Sequence, residues 1–179
     1  MRRLVLLLCL SIITCWLCAQ SFVIDGLKYQ VIKGNKVELL GPDIEVVDTI
    51  RIPSEVVYNN KQYKVTRIAT NAFMGARMVA IELPNTLQSI GSEAFLGCSE
   101  LRTIVIPNQV KEIEVEAFSC CSALQEITIP SRVKCLEHRV FFGCNSLQTV
   151  VLSKPIKEMA EEAFQGCSDD LKVVIKKDK

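Results

Sequence analysis

The sequence predicts a mainly β, right-handed solenoid of five coils with a β-hairpin cap at its N-terminus. Two observations carry this. Phe73, Phe95, Phe118, Phe141 and Phe164 recur at spacings of 22, 23, 23 and 23 residues, and Cys98, Cys121, Cys144 and Cys167 recur every 23. Within each interval apolar residues alternate with polar ones, as in Ile127-x-Ile129, which is the period of a half-buried strand. A single unit of this size cannot bury its own apolar side. Successive units must therefore stack, with one strand per coil paired in parallel. Crossovers between parallel strands are right-handed, and the coils should rise by about 4.8 Å.

The elements follow in chain order. Met1-Arg2-Arg3 precedes an apolar run with no charge until Asp25, and Ala19 offers a small residue at a cleavage point. Residues 1–19 read as a secretory signal peptide. Leu4 to Leu17 is 14 residues, short of the roughly 20 that span a bilayer. Thr14 before Cys15 and Leu17 before Cys18 argue against a lipid-modified cysteine. No second apolar stretch is long enough to span, so no transmembrane segment is expected after cleavage. Residues 20–64 read as the cap. Phe22 to Ile32 forms two strands around Asp25-Gly26, a hairpin signal. Lys33-Gly34-Asn35-Lys36 turns into a further strand, and Tyr58-Asn59-Asn60-Lys61-Gln62-Tyr63 forms a second hairpin. Ile50-Arg51-Ile52-Pro53 already carries the strand ending of the repeat. Residues 65–179 hold the solenoid, in coils 65–86, 87–109, 110–132, 133–155 and 156–175. Pro84, Pro107 and Pro130 end three of the strands, because proline cannot donate to a ladder.

One unit reads Ile-x-x-x-Ala-Phe-x-Gly-Cys-x-x-Leu-x-x-Ile-x-Ile-Pro. It is closest in 87–109, where Ile90 to Cys98 leads to Leu101, Ile104, Ile106 and Pro107. This pattern resembles the BspA-like leucine-rich repeat of the 23-residue, Treponema type, and the resemblance extends through 65–175 and into the cap. It implies a leucine-rich-repeat solenoid. It also implies an exported bacterial binding protein, adhesin-like, with a host or cell-surface protein as ligand. Gln109 stands where the more common Asn-ladder repeat would place its Asn.

Charge narrows the function. Lysine and arginine total 21 and acids 20, so the net charge is +1, which excludes a polybasic nucleic-acid binder. Aromatics are 6%, too few for a base-stacking platform. No catalytic, cofactor or metal site is assigned. The repeating cysteines lack the close pair that zinc sites use, and a buried thiol behaves as a small hydrophobe. Cys120 and Cys135 are off-pattern; a disulfide between them is one option and two free thiols the other. His138 is the single histidine and has no second histidine or Gly-flanked serine with which to build a nucleophilic site. Glu114, Glu116, Glu161 and Glu162 read as solvated charge rather than a glycosidase pair. Glu93, Glu116, Arg139 and Glu162 share one repeat position and read as a surface ion-pair row.

The remaining candidate surface is the outward face of the strands: Ala80, Glu82, Thr103, Val105, Glu126, Thr128, Thr149 and Val151, continuing to Lys172 and Val174. Solenoids commonly bind through such a face. Tyr58 and Tyr63 on the second hairpin are the aromatic anchors expected beside it. Lys172, Lys176, Lys177 and Lys179 crowd the last strand and are expected to discourage edge pairing, leaving a monomer. The rival reading is a structural solenoid that assembles through its end.

Overall fold

The computed structural model describes residues 21–45 and 48–176. The export signal expected at residues 1–19 lies outside them, as do Lys177 and Lys179. The described residues form strands and turns, with no helix among them.

The cap begins with β1 (Ser21–Ile24) and β2 (Leu27–Val31), an antiparallel hairpin. Its turn residues Asp25 and Gly26 have φ of 50° and 73°, the left-handed pair that matches strand twist. β3 (Lys36–Pro42) returns antiparallel to β2. β4 (Thr49–Arg51) follows, and β5 (Glu55–Tyr58) and β6 (Lys61–Ile68) form the second hairpin around Asn59 and Asn60. β3 and β6 pair in parallel, which fuses the cap to the first coil. Gly41 sits at this junction with φ of 131°, and a Cβ there would lie 2.2 Å from the Ala72 carbonyl oxygen. Only glycine lets β3 pass so near that backbone.

Each coil carries a strand in each of two columns, a long-strand column of two to four residues and a short-strand column of two from the second coil on. The long-strand column holds β7 (Ala80–Glu82), β9 (Thr103–Ile104), β11 (Glu126–Ile129), β13 (Thr149–Leu152) and β15 (Lys172–Ile175). The short-strand column holds β8 (Ser89–Ile90), β10 (Glu112–Ile113), β12 (Cys135–Leu136) and β14 (Glu158–Met159). One strand per coil was the expectation; the structure has two. Even Val110-x-x-Ile113, a short extended piece by sequence, supplies a two-residue parallel ladder to Ser89–Ile90. The registers repeat the sequence period: Ala80 pairs with Thr103, and Thr149 with Lys172. β4 pairs with β7 in the same way, Thr49 against Ala80. The longer interval between them contains the β5–β6 hairpin. β4-β7-β9 and β11-β13-β15 are separate sheets, so the long-strand face is interrupted after Ile104.

A third set of inter-coil bonds runs through the turns. The amides of Phe73, Phe95, Phe118 and Phe141 donate to Ala94, Ala117, Val140 and Ala163 at 2.8–2.9 Å. Two residues on, the amides of Gly75, Gly97, Cys120 and Gly143 donate to the next coil at 2.6–2.8 Å. The flanking residues adopt left-handed φ at two places per turn. Gly75, Gly97, Cys120 and Gly143 are at one place, and Asn71, Glu93, Glu116 and Arg139, with φ of 55–59°, are at the other. Between these ladders the phenylalanines stack. Successive ring centroids from Phe73 to Phe164 are 5.1–5.6 Å apart and the rings are nearly parallel.

Candidate functional site

The outward residues of the long strands form the candidate surface. Their inward neighbours Ile81, Ile104, Ile127 and Val150 are buried, and the strand's alternation leaves the others facing out. Glu82, Thr103, Glu126 and Thr128 are exposed, while Ala80, Thr149 and Val151 are half-buried by their neighbours in the ladder. Val105 is 80% exposed, just where the ladder breaks. Arg51 closes the N-terminal end of the face through an exposed ion pair to Glu82 at 2.7 Å.

The two tyrosines take other roles. Tyr63 is 8% exposed and belongs to the core. Tyr58 is half-buried and stacks on Phe22, with centroids 4.1 Å apart and planes within 4°. Neither stands on the outward face of the long strands. The cause is cap geometry: β1 ends the cap's sheet and β5 branches from β6, and the Phe22 and Tyr58 rings of these two strands stack on each other. Tyr29 lies against Phe22 in the same cluster, and burial first, then Asp25, pushes its hydroxyl up to about 12.

The four in-register cysteines hydrogen-bond as well as pack. Each thiol donates to the carbonyl of the phenylalanine one coil back: Cys98 to Phe73 at 3.0 Å, Cys121 to Phe95 at 3.2 Å, Cys144 to Phe118 and Cys167 to Phe141 at 3.1 Å. Burial pushes the Cys98 and Cys144 thiols up to about 12, so the ladder stays protonated and poorly nucleophilic at neutral pH. Cys120 is exposed and Cys135 half-buried, both as free thiols. Among the described residues, no group of three or more His, Cys, Asp and Glu side chains is placed to hold a metal ion.

On the short-strand side a cleft of about 290 Å³ opens between coils, lined by Ser92, Glu112, Glu114, Cys135 and Glu137 among others. Glu114 is not simply solvated, as the sequence implied. It accepts from Arg67 at 2.7 Å and from the Ser92 amide and hydroxyl at 3.0 Å. The Arg67 bond holds its carboxyl below the usual carboxylate range. Arg67 also reaches Glu38 at 3.5 Å, so one guanidinium ties the cap to the third coil. Sequence reasoning missed this network because Arg67 lies 29 residues from Glu38 and 47 from Glu114. Arg139 pairs with Glu162 at 2.8 Å and Glu116 at 3.9 Å, which is the ion-pair row expected from their shared repeat position. His138 is exposed.

Parallel ladders in a 23-residue register, with stacked phenylalanines beneath them, define a leucine-rich repeat protein. The family model for the BspA type leucine rich repeat region matches six copies over residues 49–178, and the chain belongs to that family. The match starts at β4, sixteen residues before the first full coil read from sequence. The crystal structure of a Treponema pallidum leucine rich repeat protein is 28% identical with a TM-score of 0.75, covering 87% of this chain and 71% of that one. A leucine rich cell surface protein from Faecalibacterium prausnitzii shares the fold at 22% identity and a TM-score of 0.65, over 87% of this chain and 50% of that one. The pneumococcal vaccine antigen PcpA shares it at 20% identity and 0.68, over 88% of this chain and 46% of that one. The chain thus spans about half the length of these last two. No curated protein matches the sequence. No helix among the described residues is long and apolar enough to cross a membrane.

Proposed function

We propose that this chain is an exported bacterial repeat protein that binds a protein ligand, adhesin-like, through the outward face of its long strands. The observation that carries the reading is the outward row of β11 and β13, exposed Glu126 and Thr128 in register with half-buried Thr149 and Val151, with exposed Thr103 one repeat earlier across the break in the ladder. Such a face lets one ligand touch several coils at once. The basic, then apolar, N-terminal segment supports export, and the surface location named for the Faecalibacterium relative agrees with it. Catalysis has no constellation to support it, and the reading is of a non-enzymatic binder. Immobilised matrix and plasma proteins, titrated with the purified chain, test this. Saturable binding lost in Thr128→Arg and Thr149→Arg with unchanged unfolding supports the face; binding that survives both substitutions removes it.

A second reading, self-assembly through the last coil, draws on the exposure of Val173 and Ile175, 43% and 54%. Light scattering at micromolar concentration separates the two: the binder is a monomer and the assembler is not.

A further inference from the structure

Among the described long strands, β15 alone leaves its inward side chains exposed. β15 pairs with β13 on one side and ends its sheet on the other. Lys172 and Lys176 donate their amides to Gln148 and Leu152 of the preceding coil, both at 2.8 Å. A parallel ladder alternates sides along the strand. The amides and carbonyls of Val173 and Ile175 therefore face the open edge. Their side chains point toward the core, in the columns of the buried Ile127 and Ile129, yet both stay exposed. Hydrogen-bonding groups and apolar side chains are thus offered together, with Lys172 and Lys176 exposed on the outer side.

A second copy fits this edge badly. In the two-fold pairing that sets Val173 opposite Ile175, with the apolar side chains on one side, Lys172 of each copy stands opposite Lys176 of the other. Like charges directly opposite are destabilising. At the N-terminal end the long-strand sheet begins at β4, and a head-to-tail copy in repeat register would bring exposed Arg51 diagonally between Lys172 and Lys176, like charges that oppose the pairing. An extended segment with apolar residues toward Val173 and Ile175 and carboxylates toward the lysines meets every feature of the edge. The column itself gives the pattern: β11 carries Glu126 and Thr128 outward where β15 carries Lys172 and Val174, with Ile127 and Ile129 inward.

We propose that β15 is a strand-addition site for an extended segment of another protein, one that alternates carboxylate and apolar side chains. Main-chain bonds to Val173 and Ile175 supply the docking, and Lys172 and Lys176 select its charge. The site adjoins the outward face at Lys172 and Val174, while Thr128, which tests that face, lies two strands away; Thr128→Arg therefore leaves the edge intact.

The test is a fluorescein-labelled peptide containing Glu-Ile-Thr-Ile-Glu, titrated by anisotropy against the purified chain, beside a Lys-Ile-Thr-Ile-Lys control. The acidic peptide should bind about tenfold tighter than the control. The preference should reverse in the Lys172→Glu, Lys176→Glu double variant. Val173→Pro removes an edge donor without touching the bonds to β13 and should abolish binding, with the thermal midpoint reporting that it folds. Hydrogen exchange should show Val173 and Ile175 protected only with peptide present. Equal binding of both peptides overturns the proposal. So does binding that leaves these two amides unprotected, or a concentration-dependent dimer that excludes the peptide.

Discussion

At the N-terminal end the first coil lies under β1, β2 and β3, and Tyr29, Val37 and Leu39 there are fully buried. At the C-terminal end the equivalent layer is missing from the described residues. Val173 and Ile175 keep the register of Val150 and Leu152 but stay exposed, and Phe164 has a ring on one side only, Phe141 at 5.5 Å. The same repeat residue is thus core in one coil and surface in another. Burial in this fold is conferred by the neighbouring coil, so the stability of a coil depends on its place in the stack.

The largest expected effect exploits that directly. Phe118 has a ring above and below and is fully buried. Phe118→Ala should cost about 3–5 kcal/mol in urea unfolding, and Phe164→Ala about 1–2 kcal/mol, because half of its transfer and cavity cost is absent. Equal costs would break the contrast between interior and end.

The thiols sharpen it. The Cys98 and Cys144 thiols are raised from 9.0 to about 12 in the fold. The unfolded chain therefore loses these protons first, and stability should be full below pH 9 and fall as pH rises toward 12. Thermal midpoints taken across that range check the sign. At pH 8 a thiol reagent should modify exposed Cys120 first and half-buried Cys167 before Cys144; modification of Cys144 ahead of Cys167 would contradict the open end.

The capped end has its own weak point. Arg67→Ala removes the tie from Glu38 to Glu114 and should cost about 1–2 kcal/mol. Glu114 is held below its ordinary value of 4.5, so the stability this pair adds is present above that pH and lost as pH falls below it. The wild-type chain should therefore weaken in acid more steeply than Arg67→Ala, a difference that parallel pH titrations of the urea midpoint read out.

The smallest effect concerns Cys120, which has φ of 58° where other coils place glycine. Cys120→Gly relieves a left-handed side chain at some cost in unfolded-state entropy, for a net gain of about 0.5–1 kcal/mol. A loss of stability would show that the thiol packs usefully over Gly143.

Much of this was legible in the residues. The Phe and Cys spacings give the register of the long strands, and Asp25-Gly26 and Asn59-Asn60 mark both hairpins. The tyrosines were misplaced for a specific reason. The alternation Tyr63-x-Val65 already places Tyr63 on the inward side, but Tyr58 is positioned by Phe22, 36 residues earlier. The recurring glycines Gly75, Gly97, Gly143 and Gly166 mark one left-handed place in each turn; the other left no trace, because Glu93, Glu116 and Arg139 have residue types with no preference for it. The thiol bonds were hidden similarly: the spacing of the cysteines shows that they stack, and only geometry shows which carbonyl each one meets. The candidate face was readable as a set of outward positions, while its interruption at Val105 was not.

Hydrogen exchange resolved by residue tests the central claim most directly, that each coil is held by its neighbours and the stack is closed at one end and open at the other. Amides of β2 and β13, which pair on both sides, should exchange slowest. Within β15, Lys172, Val174 and Lys176 should be partly protected, and Val173 and Ile175 should exchange at nearly the rate of an unstructured chain. Protection of Val173 and Ile175 equal to that of β13, in the purified chain without any partner, would contradict the account.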